Sequence, residues 1–221
     1  MHKAIAAHGR KIIDRHKHHW SQKDFWTSFV LGLAFLIGSL TFNHFASAYV
    51  DRNAGAYVKD IILDNLPVVN VDWIINDGVI MFSLFIIAYL VVHPKKVPFF
   101  LKSVALFIFI RAIFITLTHL GPAPSRTYLD PDDLLIRINV GSDMFFSGHT
   151  GMPYLLALMF WEDRLAKYVS LAASLIFGAA VLFGHLHYSI DVFAAFFITY
   201  AIFHIAQKFF PKDYKLLHEK A

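Results

Sequence analysis

Long apolar runs alternate with short polar stretches along this chain. Six runs approach the ~20 residues that a bilayer core requires: roughly 25–48, 72–92, 97–120, 147–161, 165–184 and 190–210. The pattern predicts an all-α, polytopic membrane protein with six transmembrane helices. The fourth run is the shortest, because "FWEDRLAK" ends it at Trp161. Its upstream end therefore begins near "SGHT", which places that stretch at or just inside a membrane surface. The first run is too long for the apolar region of a signal peptide and follows a basic, polar stretch, so no cleavable leader is expected. Residues 1–24 read as a basic amphipathic cytoplasmic segment and 25–221 as one transmembrane domain. No internal repeat or low-complexity tract is visible.

Composition sharpens this picture. Hydrophobic residues make up 57% of the 221 positions and charged residues only 16%, against about a quarter charged in soluble domains. There are no cysteines, which excludes disulfides, thiol catalysis and cysteine-based zinc sites. A pI near 9.2 could point to nucleic acid, but the basic residues are distributed as in a membrane protein. Fifteen of the 20 Lys and Arg residues lie in the N-terminal tail to Lys23, the Lys95–Lys102 stretch, Arg164 with Lys167, and the tail from Lys208. Only Arg52, Lys59, Arg126 and Arg137 fall on the other side, and Arg111 lies inside the third run. The positive-inside rule then puts both termini in the cytoplasm. It also puts "SGHT" and "HLHYSID" on one shared, non-cytoplasmic face (periplasmic, extracellular or lumenal). No nucleic-acid partner is expected. The tail containing "RHKHHW" reads as an interfacial segment touching anionic lipid.

The chemistry-bearing residues gather on that shared face. Arg111, in "FIFIRAIFIT", is an intramembrane charge, which is costly and usually functional. It would snorkel part-way outward toward a polar cavity on the histidine face, or else form a structural ion pair with a carboxylate such as Asp77. In "DMFFSGHTGMP", Ser147 suits a helix N-cap. Free amides and the dipole at such a helix start favour an anion, and Gly148 allows close backbone approach. Ser147, Gly148 and neighbouring Asp143 are thus candidate phosphate contacts, with His149 presented to the ligand; alternatively the stretch is a capped helix with an interfacial histidine. His187 and Asp191 stand four apart, sharing one helical face. A carboxylate accepting one ring N–H would leave the other nitrogen free as a nucleophile, unless Asp191 simply caps the sixth helix. His185 and Tyr188 flank the pair as candidate substrate contacts. His149, His185, His187, Asp143 and Asp191 are residue types that could ligate a metal. No H-E-x-x-H helix is present and an arginine in the cluster would repel a cation, so neither metal nor other cofactor is expected.

"DMFFSGHT" followed by "GHLHYSIDVFAAFFITYAIFH" resembles the two C-terminal signature motifs of the sphingomyelin synthases, a branch of the type 2 phosphatidic acid phosphatase superfamily of membrane lipid enzymes. "RAIFITLTHLGPAP" is similar to a third motif of that family. The resemblance covers residues 105 to 207. It implies a catalytic triad of His149, His187 and Asp191: His187 attacking phosphorus, Asp191 orienting it, His149 protonating the leaving oxygen, and Arg111 on the phosphate. Gly141–Ser142 replaces the family's Cys-Gly, Leu186 replaces its glutamate between the paired histidines, and "DNLPVVNVDW" echoes its proline-rich motif only faintly. The implied activity is transfer of a phospholipid head-group phosphate (phosphocholine or phosphoethanolamine type) to a lipid hydroxyl through a phosphohistidine. The partners would be a glycerophospholipid donor and a ceramide or diacylglycerol acceptor, and a homo-oligomer is compatible with this. A lipid phosphate phosphatase using the same triad, or a catalytically silent lipid-binding protein, are the alternatives.

Overall fold

The computed structural model describes residues 2–127 and 144–219. These residues form, in order, α1 His2–Trp20, α2 Lys23–Arg52, α3 Val79–Val92, α4 Val97–Leu117, α5 Gly148–Met159, α6 Arg164–Phe183, α7 Ser189–Phe209 and α8 Pro211–His218. A π-helical turn, Ile74–Gly78, leads into α3, and short 3-10 turns sit at Leu63–Asn65 and Pro94–Lys96. No strand occurs among the described residues.

Among the described residues, five stretches are long and apolar enough to cross a membrane: Lys23–Arg52, Ile74–Val92, Pro94–Leu117, Arg164–Phe183 and Ser189–Phe209. The fourth expected run forms only α5, 12 residues long and about 18 Å from end to end. It is shortened at both ends. Ser147 caps its start, accepting from Thr150 N at 3.3 Å. Its last turn gives way to Phe160–Glu162, after which Asp163 caps α6 by accepting from Ala166 N at 3.0 Å.

Exposure separates the helices by role. In α2 the buried positions Phe25, Gly32, Ser39 and Ala46 recur every seven residues, a narrow seam that lets α2 lie close along α4. The rest of α2 shows Val30, Leu33, Phe35, Ile37, Leu40, Phe42 and Phe45 to the outside, a continuous apolar surface that water would penalise and acyl chains would cover. By contrast α5 is wrapped by α4, α6 and α7, with Thr150, Gly151, Pro153, Leu155, Leu156, Ala157 and Met159 all buried. The main core, with Phe99, Phe107, Phe146, Leu155, Met159, Phe160 and Ile202, is built around it.

Gly151 makes that wrapping possible. A Cβ there would stand 2.7 Å from Thr199 Oγ1 and 2.9 Å from the Phe107 ring, closer than real contacts allow. Gly151→Ala is therefore expected to lower stability by about 1–3 kcal/mol, read as a reduced melting temperature in detergent micelles.

The opposite end of the bundle is tied by a buried ion pair. Lys102, six residues into α4, is buried and sits 2.6 Å from Asp213 Oδ2 of α8. Lys102 also donates to Ser28 Oγ of α2 at 2.6 Å, and Ser28 Oγ in turn donates to Asp213 Oδ1. Three helices converge on one charge. At the same end, His16 of α1 meets the Val91 carbonyl at 2.7 Å, docking α1 against the end of α3.

Candidate active site

The two histidine motifs meet through their backbones. Ser147 N donates to the Asp191 carbonyl at 3.0 Å, so the start of α5 lies against the first turn of α7. Ser147 is fully buried, and its hydroxyl is engaged with Thr150 as the cap. The ring of His149, in the first turn of α5, stands 6.4 Å from that of His187, centroid to centroid.

The protonation pattern of His187 follows from its neighbours. Nδ1 lies 3.2 Å from Asp191 Oδ2 and 3.2 Å from the Met144 carbonyl. Both are acceptors, so Nδ1 carries the hydrogen and the neutral ring keeps its lone pair on Nε2. Asp191 is completely buried. The same Oδ2 accepts from Tyr188 N at 3.0 Å, satisfying the N-cap amide of α7. One carboxylate thus does both jobs read from its position, capping the helix and orienting the imidazole. Its Oδ1 is buried with no hydrogen-bond partner among the described residues.

Arg111 lies six residues before the end of α4, about 9 Å below that end. Its Nε donates to the Phe146 carbonyl at 2.8 Å, so the guanidinium is carried to the start of α5. There it crosses Gly148: a Cβ at 148 would stand 3.5 Å from Arg111 Nε. Alanine fits at that distance, whereas a branched side chain would push the guanidinium aside.

The other two flanking residues are engaged within the protein. Tyr188 is buried, donating its hydroxyl to the Gly121 carbonyl at 2.6 Å and accepting from Val58 N at 3.1 Å. His185 is buried, 2.7 Å from Ser125 Oγ at Nδ1 and 3.2 Å from the Leu66 carbonyl at Nε2. Asp143 lies outside the described residues.

Asp60 is a supporting residue to which the sequence pattern assigns no role. Its Oδ2 accepts from Ser189 N at 2.7 Å and Ser189 Oγ at 2.8 Å, while Oδ1 accepts from Ile62 N and Leu63 N. It pins the 53–71 loop to the first residue of α7. Burial alone would push this carboxyl up, but the donations from Leu63, Ser189 and Ile62 outweigh it and hold it below the ordinary Asp value. The stabilisation is therefore fully present above the ordinary value of ~3.9 and is lost as pH falls through the lower folded-state value. Asp60→Ala is expected to cost about 1 kcal/mol near neutral pH, in the range of a lost helix cap. The gap to the parent should narrow progressively in melting curves taken as pH falls below the ordinary Asp value.

Residues 141–208 match a family model described as PAP2 superfamily C-terminal. The match spans both histidine motifs and supports the type 2 phosphatidic acid phosphatase superfamily, whose members are phosphatases and phosphotransferases acting on lipids. No curated protein and no solved structure matches the chain.

Proposed function

We propose that this chain is a membrane enzyme that transfers a phospholipid head-group phosphate to a lipid hydroxyl through a phosphohistidine, in the manner of the sphingomyelin synthases. The observation that carries the proposal is the bonding of His187. Its Nδ1 is fixed by Asp191 and the Met144 carbonyl, and the ring faces His149. In the first step Nε2 of His187 attacks phosphorus, the bond from phosphorus to the diacylglycerol oxygen breaks, and His149 gives its proton to that oxygen. In the second step His149 takes the proton of the acceptor hydroxyl, the new oxygen–phosphorus bond forms, and the nitrogen–phosphorus bond breaks to restore His187. Arg111 balances charge on the phosphate oxygens, and Asp191 balances the imidazolium. Ceramide or diacylglycerol serves as acceptor and a phosphocholine- or phosphoethanolamine-bearing glycerophospholipid as donor.

The topology that goes with this mechanism has six membrane segments, α5 being the short one, with both termini in the cytoplasm. The charge distribution supports it, as does the grouping of Arg111, α5 and the start of α7 at the end opposite Lys102 and α8. Water in place of the acceptor lipid would turn the same residues into a phosphatase, and the family match favours keeping that outcome in the test.

Purified protein in micelles is incubated with fluorescent ceramide or diacylglycerol plus phosphatidylcholine or phosphatidylethanolamine, and in parallel with phosphatidic acid. A new fluorescent lipid bearing the donor's head group is the expected result, unaffected by EDTA. Inorganic phosphate without that lipid assigns hydrolysis instead. Absence of any product defeats the enzymatic reading.

A further inference from the structure

We propose that His185 is a positioning residue that latches two loops onto the turn carrying His187 and so holds the nucleophile in register with His149. The inference rests on the reading of His187 as nucleophile. His185 is the one non-glycine residue with a left-handed backbone among those described, at φ 53°, a conformation disfavoured for any residue bearing a Cβ. It persists because the ring is held on both sides. The Leu66 carbonyl can only accept, so Nε2 carries the hydrogen and donates to it. Nδ1 of the neutral ring is then left to accept from the Ser125 hydroxyl. Both nitrogens are consumed, which removes His185 from the chemistry and gives it a mechanical role.

The same pattern repeats on the other side of the nucleophile. The Tyr188 hydroxyl bonds Gly121 in one loop and Val58 in the other. Just before His185, Thr127 N donates to the Gly184 carbonyl at 2.9 Å and Val69 N to the Phe183 carbonyl at 2.9 Å. The 53–71 and 118–127 loops therefore grip the α6–α7 turn from two directions, and His187 sits between the two side chains that join both loops at once. In-line attack on phosphorus tolerates little displacement, since a shift of about 1 Å can cost about 100-fold in rate. A loosened His185 would let the turn drift while the donor lipid still binds.

The test compares His185→Gly, His185→Asn and Ser125→Ala with the parent and with His187→Ala, assayed with fluorescent ceramide plus phosphatidylcholine and with phosphatidic acid. Glycine accepts the left-handed backbone and deletes both bonds, so kcat should fall ~30- to 100-fold with KM within ~3-fold. Asparagine tolerates the same backbone and keeps an N–H donor, so it should recover at least ~5-fold of that loss. Ser125→Ala removes one bond and should lower kcat ~3- to 10-fold at an unchanged melting temperature. Unchanged kcat in both His185→Gly and Ser125→Ala overturns the latch. So does weakened substrate binding with kcat intact (KM raised ~10-fold or more), which would make His185 a substrate contact. If His185→Gly fails to fold, Ser125→Ala decides alone, and an unchanged kcat there overturns the proposal. Turnover surviving in His187→Ala would instead defeat the nucleophile assignment, a failure separate from that of the latch.

Discussion

Replacing His187 with alanine is expected to lower kcat/KM by ~10,000-fold or more, the scale seen when a covalent nucleophile is deleted from a coupled catalytic group. The expectation follows from which nitrogen is available. With Nδ1 facing Asp191 Oδ2 and the Met144 carbonyl, only Nε2 can hold the attacking lone pair. Asp191→Asn should be nearly as severe, about 100- to 10,000-fold, for a distinct reason. An amide NH2 can donate to Nδ1, which favours the opposite tautomer and places the hydrogen on the nitrogen that must attack. Removal of the carboxylate also leaves the imidazolium of the intermediate without its counter-charge. A donor lipid labelled in its phosphate separates these roles. Parent protein quenched during turnover should carry acid-labile label, whereas His187→Ala should carry none. His149→Ala should still acquire label from a donor whose leaving group needs no proton, because its loss removes the acid and leaves the nucleophile. Label retained on His187→Ala would sink the mechanism.

The residues proposed to react are legible in the sequence because their signals are local. Four-residue spacing puts His187 and Asp191 on one face, and "SGH" at the start of an apolar run marks a capped helix. Both competing readings of Asp191 describe a single oxygen, Oδ2. The short α5 is foreshadowed by "FWEDRLAK", but its extent is not. A helix enclosed by α4, α6 and α7 need not reach both membrane surfaces, and hydropathy does not report enclosure. The supporting groups leave no trace in the sequence. Asp60 meets Ser189 across 129 positions and Ser125 meets His185 across 60, and the partners at Leu66, Gly121 and Met144 are backbone carbonyls that any residue would provide. Tyr188 reads as a substrate contact because it neighbours His187, yet its hydroxyl is turned into the loops. Lys102 reads as one more flanking charge. Its place within "PFFLKSVAL" gives no hint that α8 returns to meet it.

Lys102→Ala is expected to destabilise the protein by about 3–5 kcal/mol, because it leaves Asp213 buried without its counter-charge. Side chains on both partners are less than a tenth exposed, with 2.6 Å between Nζ and Oδ2. Among the described residues, Ser28 is the other side chain hydrogen-bonded to the pair, and a hydroxyl cannot neutralise a carboxylate. Asp213→Ala should cost a similar amount by stranding the lysine. The Lys102→Met/Asp213→Leu double variant should regain most of the loss, since removing both charges abolishes the desolvation penalty that each single change exposes. Thermal or denaturant unfolding in micelles reads all three. The proposed active site lies toward the other end of α4, so on the proposed function the surviving folded protein should keep its KM and kcat below the melting transition. Single variants within ~1 kcal/mol of the parent would show that water reaches the pair and that α8 is not held by it. A double variant no better than the singles would show that the three-way contact of α2, α4 and α8 depends on the hydrogen bonds through Ser28 rather than on charge neutralisation.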